Sequence, residues 1–228
     1  MPFIIKDTES NGLFDFRQPA DAPGQPRVAE VALLYVNDAL EIEREYRAYV
    51  KPDGWEMTPE ASAINGLTTE FLEANGVPIM EVLAVYSAAI VEGRAVVAFN
   101  AQHDCKQMRG ELRRAGLPDL FKETRNVCVM RKANGHILKA GGKKGWPSLA
   151  EARTFLQRPV DRPHGALSDA FDAYAIFKFL HGRGVDLTPE VHYAADDHPA
   201  KPKDAPPRAE RQKRQRLPSD DSDGFAKD

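Results

Sequence analysis

The chain of 228 residues lacks the usual features of exported and membrane-bound proteins. It has two cysteines, Cys105 and Cys128, which are too few for a disulfide framework and fit a reducing compartment. No apolar run is long enough to cross a bilayer, and the N-terminus has neither the charged region nor the cleavage site of a signal peptide. We therefore expect a soluble cytoplasmic protein with no membrane partner.

The chain also lacks a strong excess of charge of either sign. Its net charge is −3, so a nucleic-acid partner is not indicated by bulk charge, and any basic surface must be local.

After Leu187 the sequence becomes rich in proline and poor in large apolar residues. We expect one domain over residues 1–187 and a disordered, charged tail over 188–228. The basic stretch Lys201–Arg216 is consistent with a solubilising segment, with weak phosphate contacts or with docking to a polymerase or another protein.

The opening stretch of the chain combines a buried strand with two acids. Phe3, Ile4 and Ile5 begin an apolar run, and Asp7 and Glu9 follow at positions i and i+2. Successive side chains of a strand point to opposite faces, so the two carboxylates point the same way. Because like charges on one face repel, a divalent cation between them is the simplest compensation. The alternative is a strand end with solvated acids.

Two further acids follow later elements of a β-β-β-α-β-α-β-α-α order, in which Asn126–Met130 is the predicted fifth strand. Asp104 lies just after the apolar strand Ala95–Phe99, where α/β sheets place ligand groups. Asp169 lies in the first turn of a long helix, Ala166–His181, beside the loop residue His164. Taken singly, each acid also fits a structural role, because acids are common in a first helical turn.

Taken together, these segments resemble the DnaQ-like 3′–5′ exonucleases of the DEDDh superfamily. The resemblance runs from about Phe3 to Leu180. It implies an α/β, ribonuclease-H-like fold, with a mixed five-stranded sheet of three antiparallel strands and then parallel strands, flanked by helices. The matching motifs are Asp7-Thr8-Glu9-Ser10-Asn11-Gly12-Leu13, Phe99-Asn100-Ala101-Gln102-His103-Asp104 and His164-Gly165-Ala166-Leu167-Ser168-Asp169-Ala170.

The resemblance implies hydrolysis of phosphodiester bonds at the 3′ end of nucleic acid, with release of 5′-mononucleotides. It implies two divalent metal ions, Mg²⁺ or Mn²⁺, which are hard cations that prefer oxygen ligands. His164 is the implied general base, since an imidazole titrates near neutral pH. The implied metal ligands are Asp7, Glu9, Asp104 and Asp169. The implied substrate-binding residues are Thr8, Ser10, Asn11, Gly12, Leu13, Asn65 and Asn100.

Single-stranded DNA is the expected substrate. The alternatives are an exoribonuclease or short-oligonucleotide nuclease, and a non-catalytic nucleic-acid binding module. A zinc site is not expected, because the spacing of His103, Cys105, Cys128 and His136 matches no compact zinc pattern.

The chain departs from the family pattern at three positions. Ser10-Asn11 stands where the family usually has Thr-Thr, a loop that meets the terminal nucleotide in relatives. His103 replaces a usual Phe, and Asn65 stands where some relatives carry His. The loss of a hydroxyl at Asn11 bears on nucleotide preference rather than on the chemistry.

Overall fold

A mixed β-sheet forms the centre of the fold in the computed structural model, which describes residues 1–120, 122–142, 145–159 and 165–192. The strands are β1 (Phe3–Ser10), β2 (Val28–Val36), β3 (Ile42–Tyr49), β4 (Ala95–Ala98) and β5 (Asn126–Cys128). The helices are α1 (Pro59–Asn65), α2 (Thr69–Asn75), α3 (Ile79–Val91), α4 (Ala101–Arg114), α5 (Val129–Lys132), α6 (Leu149–Phe155) and α7 (Ala166–Gly182), with a 3₁₀ turn at Ala140–Gly142.

The five strands lie in the order β3-β2-β1-β4-β5, so β1 is central. The first three strands pair antiparallel, and β4 joins β1 in parallel, as β5 joins β4. The predicted fold class is confirmed. Because β1, β4 and β5 run in one direction, their carboxyl ends meet at one edge of the sheet. That edge carries the end of β1 and the starts of α4 and α5.

The two faces of the sheet bury separate apolar cores, as alternation along β1 requires. Ile4 points to the face covered by α3 and α4, where it joins Tyr86 and Met108. Ile5 points to the face covered by α7, where it joins Ala173 and Phe177. β2 is buried along its whole length, since both of its faces are covered.

Small residues allow α7 to approach the sheet closely. Ala166, Ala170 and Ala173 are fully buried at helical spacing, on the side of α7 that faces the core. This close approach brings the first turn of α7 to the end of β1.

One strand is shorter than predicted, and one residue beyond the predicted domain pairs with the sheet. The fifth strand, predicted over 126–130, ends at Cys128, because the chain turns directly into α5 there. Beyond Leu187, Glu190 exchanges backbone hydrogen bonds with Asn126 at 2.8 and 3.3 Å. Residues 193–228, most of the predicted tail, lie outside the described residues.

Within the described part of the chain, no helix has the length and apolar character needed to cross a membrane.

Candidate active site

Three carboxylates meet at the carboxyl end of β1. Asp7 and Glu9 project from the same face of the strand, and Asp169 comes from the first turn of α7. One ligand oxygen from each lies within 4.8 Å of the others. Oxygen-only ligands at this separation suit a hard divalent cation such as Mg²⁺ or Mn²⁺.

The electrostatics of this group favour bound cation or bound protons. Withdrawal from water raises the pKa of Asp7 well above its usual value, and the charges of Asp104, Asp169 and Glu9 raise it further. Burial, followed by the charges of Asp169 and Glu30, raises the pKa of Glu9 to about 8, against a hydrogen bond from Asn65 that lowers it. The site therefore holds excess negative charge that a cation would compensate.

The raised pKa of Glu9 predicts that the metal-free protein loses stability as pH rises. Between its ordinary value of 4.5 and its folded value of about 8, the folded chain holds a proton on Glu9 that the unfolded chain has released. The contribution of Glu9 to stability is therefore fully present below about pH 4.5 and is lost as pH rises through about 8. We expect the melting temperature in EDTA to fall across this window, by about 2–4 °C for each kcal/mol lost.

Thermal unfolding in EDTA at several pH values measures this effect, with Glu9→Gln as the matched variant. The difference between the two proteins should grow with pH in favour of the variant, and Mg²⁺ or Mn²⁺ at pH 8 should stabilise the wild type. A difference independent of pH would contradict the assignment.

Asp104 lies beside the three-acid group rather than within it. Its Oδ1 accepts a hydrogen bond from the Thr8 hydroxyl at 3.1 Å, and its backbone carbonyl accepts one from Lys6 Nζ at 2.7 Å. Lys6 Nζ also lies 3.8 Å from the Asp104 carboxylate. The structure thus groups three of the four predicted metal ligands. The fourth, Asp104, is held by Lys6 and Thr8, which project from the opposite face of β1.

Lys6 is a fully buried cation that the sequence analysis did not single out. Its Nζ lies 5.8 Å from the centroid of the Tyr86 ring, on the face of the sheet opposite Asp7. Its charge lowers the pKa of Asp7, opposing the larger effects that raise it. The place of Lys6 directly after the apolar run Phe3–Ile5, in a strand predicted to be buried, was the available signal, because buried lysines are rare without a partner.

Arg153, on α6, is a second buried cation at the site and was also missed. Its Nη2 donates to Asp169 Oδ1 at 2.8 Å, and its Nε donates to Asp172, one turn further along α7. Asp172 also accepts from Arg158 Nε at 2.8 Å. Arg153 therefore fixes the orientation of Asp169 through a bond between two helices.

Glu30 holds the start of α7 against β2. It lies opposite Glu9 in the strand register and is fully buried. Its carboxylate accepts from Arg47 Nε at 2.6 Å and from the backbone N–H of Ala166 at 3.3 Å. This contact places the first turn of α7, and with it Asp169, at the end of β1.

The loop after β1 is closed by its own polar groups. Ser10 Oγ donates to the Gly12 carbonyl at 2.9 Å. The Asn11 side chain accepts from the backbone of Arg27 at 2.7 Å and donates to the carbonyl of Glu56 at 2.8 Å. Asn11, where the family usually has Thr, thus ties together two neighbouring loops, whereas Leu13 is 93% exposed.

The remaining predicted substrate residues also have structural partners. Asn65 is buried, donates to the Ser10 carbonyl at 3.2 Å and accepts from the Leu67 backbone at 3.0 Å. Asn100 precedes α4, and its carbonyl accepts from the backbone of His103 and Asp104 at 2.8 and 3.2 Å. The predicted general base, His164, lies outside the described residues, and Gly165 next to it precedes α7.

The chain was compared with models of known protein families and with curated protein sequences. A family model described as "Exonuclease" matches residues 4–177, well over half of the chain. Comparison with curated protein sequences found no match.

Solved structures with this fold include several nucleases. Escherichia coli Exonuclease I in complex with a dT13 oligonucleotide aligns with a TM-score of 0.65 at 19% identity, covering 80% of this chain and 41% of that one. This chain thus spans about two fifths of the length of Exonuclease I. The nuclease domain of 3′hExo, a DEDDh family member bound to rAMP, aligns with a TM-score of 0.63 at 16% identity, covering 83% and 96%. A 3′-exonuclease in 3′-end specific recognition of histone mRNA stem-loop aligns with a TM-score of 0.65 at 14% identity, covering 85% and 68%.

These structural likenesses show the fold, and the family model covers all three carboxylates of the group at the end of β1. The resemblance inferred from the three acidic motifs is confirmed, and the chain belongs to the exonuclease family.

Proposed function

We propose that this protein is a metal-dependent 3′-to-5′ exonuclease that releases 5′-mononucleotides from nucleic acid, with single-stranded DNA preferred. The observation that carries the proposal is the group formed by Asp7, Glu9 and Asp169 within an exonuclease-family chain. Relatives with this fold include one bound to a dT13 oligonucleotide and one bound to rAMP, so both DNA and RNA enter the test.

The carboxylates fit the two divalent cations that the proposal requires. Asp7, Glu9 and Asp169 would hold them together with Asp104, which lies beside the group. When bound, such a pair lowers the pKa of an attacking water and stabilises the leaving oxygen of the scissile phosphate. Mg²⁺ and Mn²⁺ both suit a donor set made of carboxylate oxygens.

The chain's own residues would orient the substrate and move the proton. Thr8 and Lys6 hold Asp104, and Arg153 holds Asp169, so two ligands are fixed before substrate arrives. Glu9 would contact the terminal 3′-hydroxyl and so select chain ends. His164 would accept the proton of the attacking water on its ring nitrogen, since an imidazole is poised near neutral pH.

The proposal is tested with single-stranded DNA, duplex DNA and RNA of one sequence, each labelled at the 5′ end. With Mg²⁺ or Mn²⁺, we expect the labelled strands to shorten one nucleotide at a time, single-stranded DNA fastest, and no shortening in EDTA. Faster loss of RNA would favour the exoribonuclease alternative. Binding without shortening of any substrate, or cuts inside the strands, would contradict an exonuclease.

The tail over 188–228 stays a predicted charged segment that aids solubility, contacts phosphates weakly or docks to another protein. A polymerase or other protein that binds this tail is the partner included in the proposal.

A further inference from the structure

Trp146 is a large aromatic side chain held half in solvent. The side chain is 50% exposed, although burial of apolar surface contributes a favourable free energy of about 25 cal/mol per Å². Its backbone is fixed on the C-terminal side, where Pro147 is buried and Ser148 caps the N-terminus of α6. The Ser148 hydroxyl and the Glu151 carboxylate form a reciprocal capping box there. The exposed ring is therefore presented on a defined backbone rather than on a free end.

Arg131 links this ring to the edge of the sheet that carries the acids. Its guanidinium lies 5.2 Å from the centroid of the Trp146 ring, within the range of a cation–π contact. Its Nη2 also donates to Gln102 Oε1 at 3.2 Å. Gln102 lies in the first turn of α4, two residues before Asp104.

The position of Arg131 follows from the parallel strands. α5 begins where β5 ends, and the backbone N–H of Met130 donates to the Phe99 carbonyl at the end of β4, at 3.0 Å. The Trp146–Arg131 pair thus belongs to the same edge of the sheet as the carboxylates, reached through Gln102. Arg131 is joined there by Lys132 in the last turn of α5.

The chemistry of the pair fits a base and its phosphate better than an apolar protein surface. An indole ring offers a stacking face to any base, and an adjacent guanidinium offers charge to the backbone. We propose that Trp146 and Arg131 bind an unpaired nucleotide of a single strand, upstream of the 3′-terminal nucleotide held at the carboxylates. This inference rests on the proposed function and deepens it, since a stacking platform requires a single strand.

The chain supplies its own optical probe for this site. It contains two tryptophans, so Trp55→Phe leaves Trp146 as the only one. Combined with Asp7→Asn to keep substrate intact, this variant is titrated with a ten-nucleotide single-stranded DNA and with thymidine 5′-monophosphate. We expect saturable quenching of Trp146 emission by the oligonucleotide, at concentrations where the mononucleotide gives little, because a mononucleotide cannot engage the carboxylates and Trp146 together.

A second measurement uses affinity. In the Asp7→Asn background, Trp146→Ala should weaken binding of the same oligonucleotide by about 5- to 150-fold, whereas Trp146→Phe should retain most of the affinity. Phe155→Ala is the matched control, because Phe155 is also an exposed aromatic of this region, at 41%, but packs against Phe179. The affinity of the Phe155→Ala variant for the oligonucleotide should be unchanged.

The outcomes separate this inference from the proposed function. Oligonucleotide binding without quenching, or with equal affinity in Trp146→Ala, would overturn the stacking site and leave the exonuclease proposal intact. If Trp146→Ala does not fold, the quenching titration decides alone. Absence of nucleic-acid binding by the otherwise wild-type chain would count against both.

Discussion

Asp7→Asn is expected to abolish 3′-to-5′ cleavage and, at the same time, to stabilise the metal-free protein. Burial raises the pKa of Asp7 well above its usual value, and three neighbouring acids raise it further. In the proposed mechanism the substitution takes away a metal ligand, and we expect the cleavage rate to fall by at least about 10³-fold. The same change removes a repelled charge from the folded state, so the melting temperature in EDTA at pH 8 should rise.

Opposite signs for activity and stability are what distinguish a charged functional site from a structural one. The cleavage rate with Mg²⁺ or Mn²⁺ and the melting temperature in EDTA are measured on the same preparations. Asp53→Asn is the control, since Asp53 is an exposed acid in the turn after β3, and it should change neither quantity appreciably. An Asp7→Asn protein that cleaves at the wild-type rate would exclude Asp7 from the site.

Arg153→Met is expected to lower the free energy of unfolding by about 3–5 kcal/mol. Arg153 is buried between Asp169 and Asp172, of which Asp172 is 2% exposed. The substitution leaves two buried carboxylates without the guanidinium that lies between them, and the cost of an uncompensated buried charge exceeds the value of the pair itself. Because Asp169 loses its fixed orientation, cleavage should also fall.

Arg158→Met is the matched variant for this prediction. Arg158 bonds to Asp172 as well, but its side chain is 35% exposed, so water can replace it and the cost should stay near or below about 1 kcal/mol. Urea denaturation of both variants with excess EDTA gives the comparison, and Mg²⁺ at saturating concentration tests whether a cation restores part of the loss. Equal stability of the two variants would show that Arg153 is not a structural partner of the acids.

The order of strands and helices along the chain and the first acidic pair were predictable because they depend on local rules. The period-two alternation of β1 puts Asp7 and Glu9 on one face in any strand, and the helix that follows β4 starts where the apolar run ends. The fifth strand was predicted too long, since Val129 and Met130 are apolar in either a strand or a short helix, and a four-residue helix has no detectable period.

The cations around the acids could not be predicted in the same way. The sequence marks Lys6 only by its place after the apolar run of β1, and it gives no signal for Arg153, yet the structure buries both. Their partners are distant in the chain, since Asp104 lies 98 residues from Lys6 and Asp169 lies 16 residues from Arg153. Likewise, Asn11 stays a predicted substrate-binding residue, and the structure adds that its amide bonds to the loops at Arg27 and Glu56.

The sequence by itself therefore determined the order of strands and helices, because alternation, strand ends and helix starts are properties of neighbouring residues. Its resemblance to known exonucleases gave the family and the candidate acids. The tertiary structure decided which acids share one group, which cations hold them and which polar side chains are already occupied. The physical reason is that charge compensation acts through space, and residues that are distant in the chain are brought together only when the helices pack on the sheet.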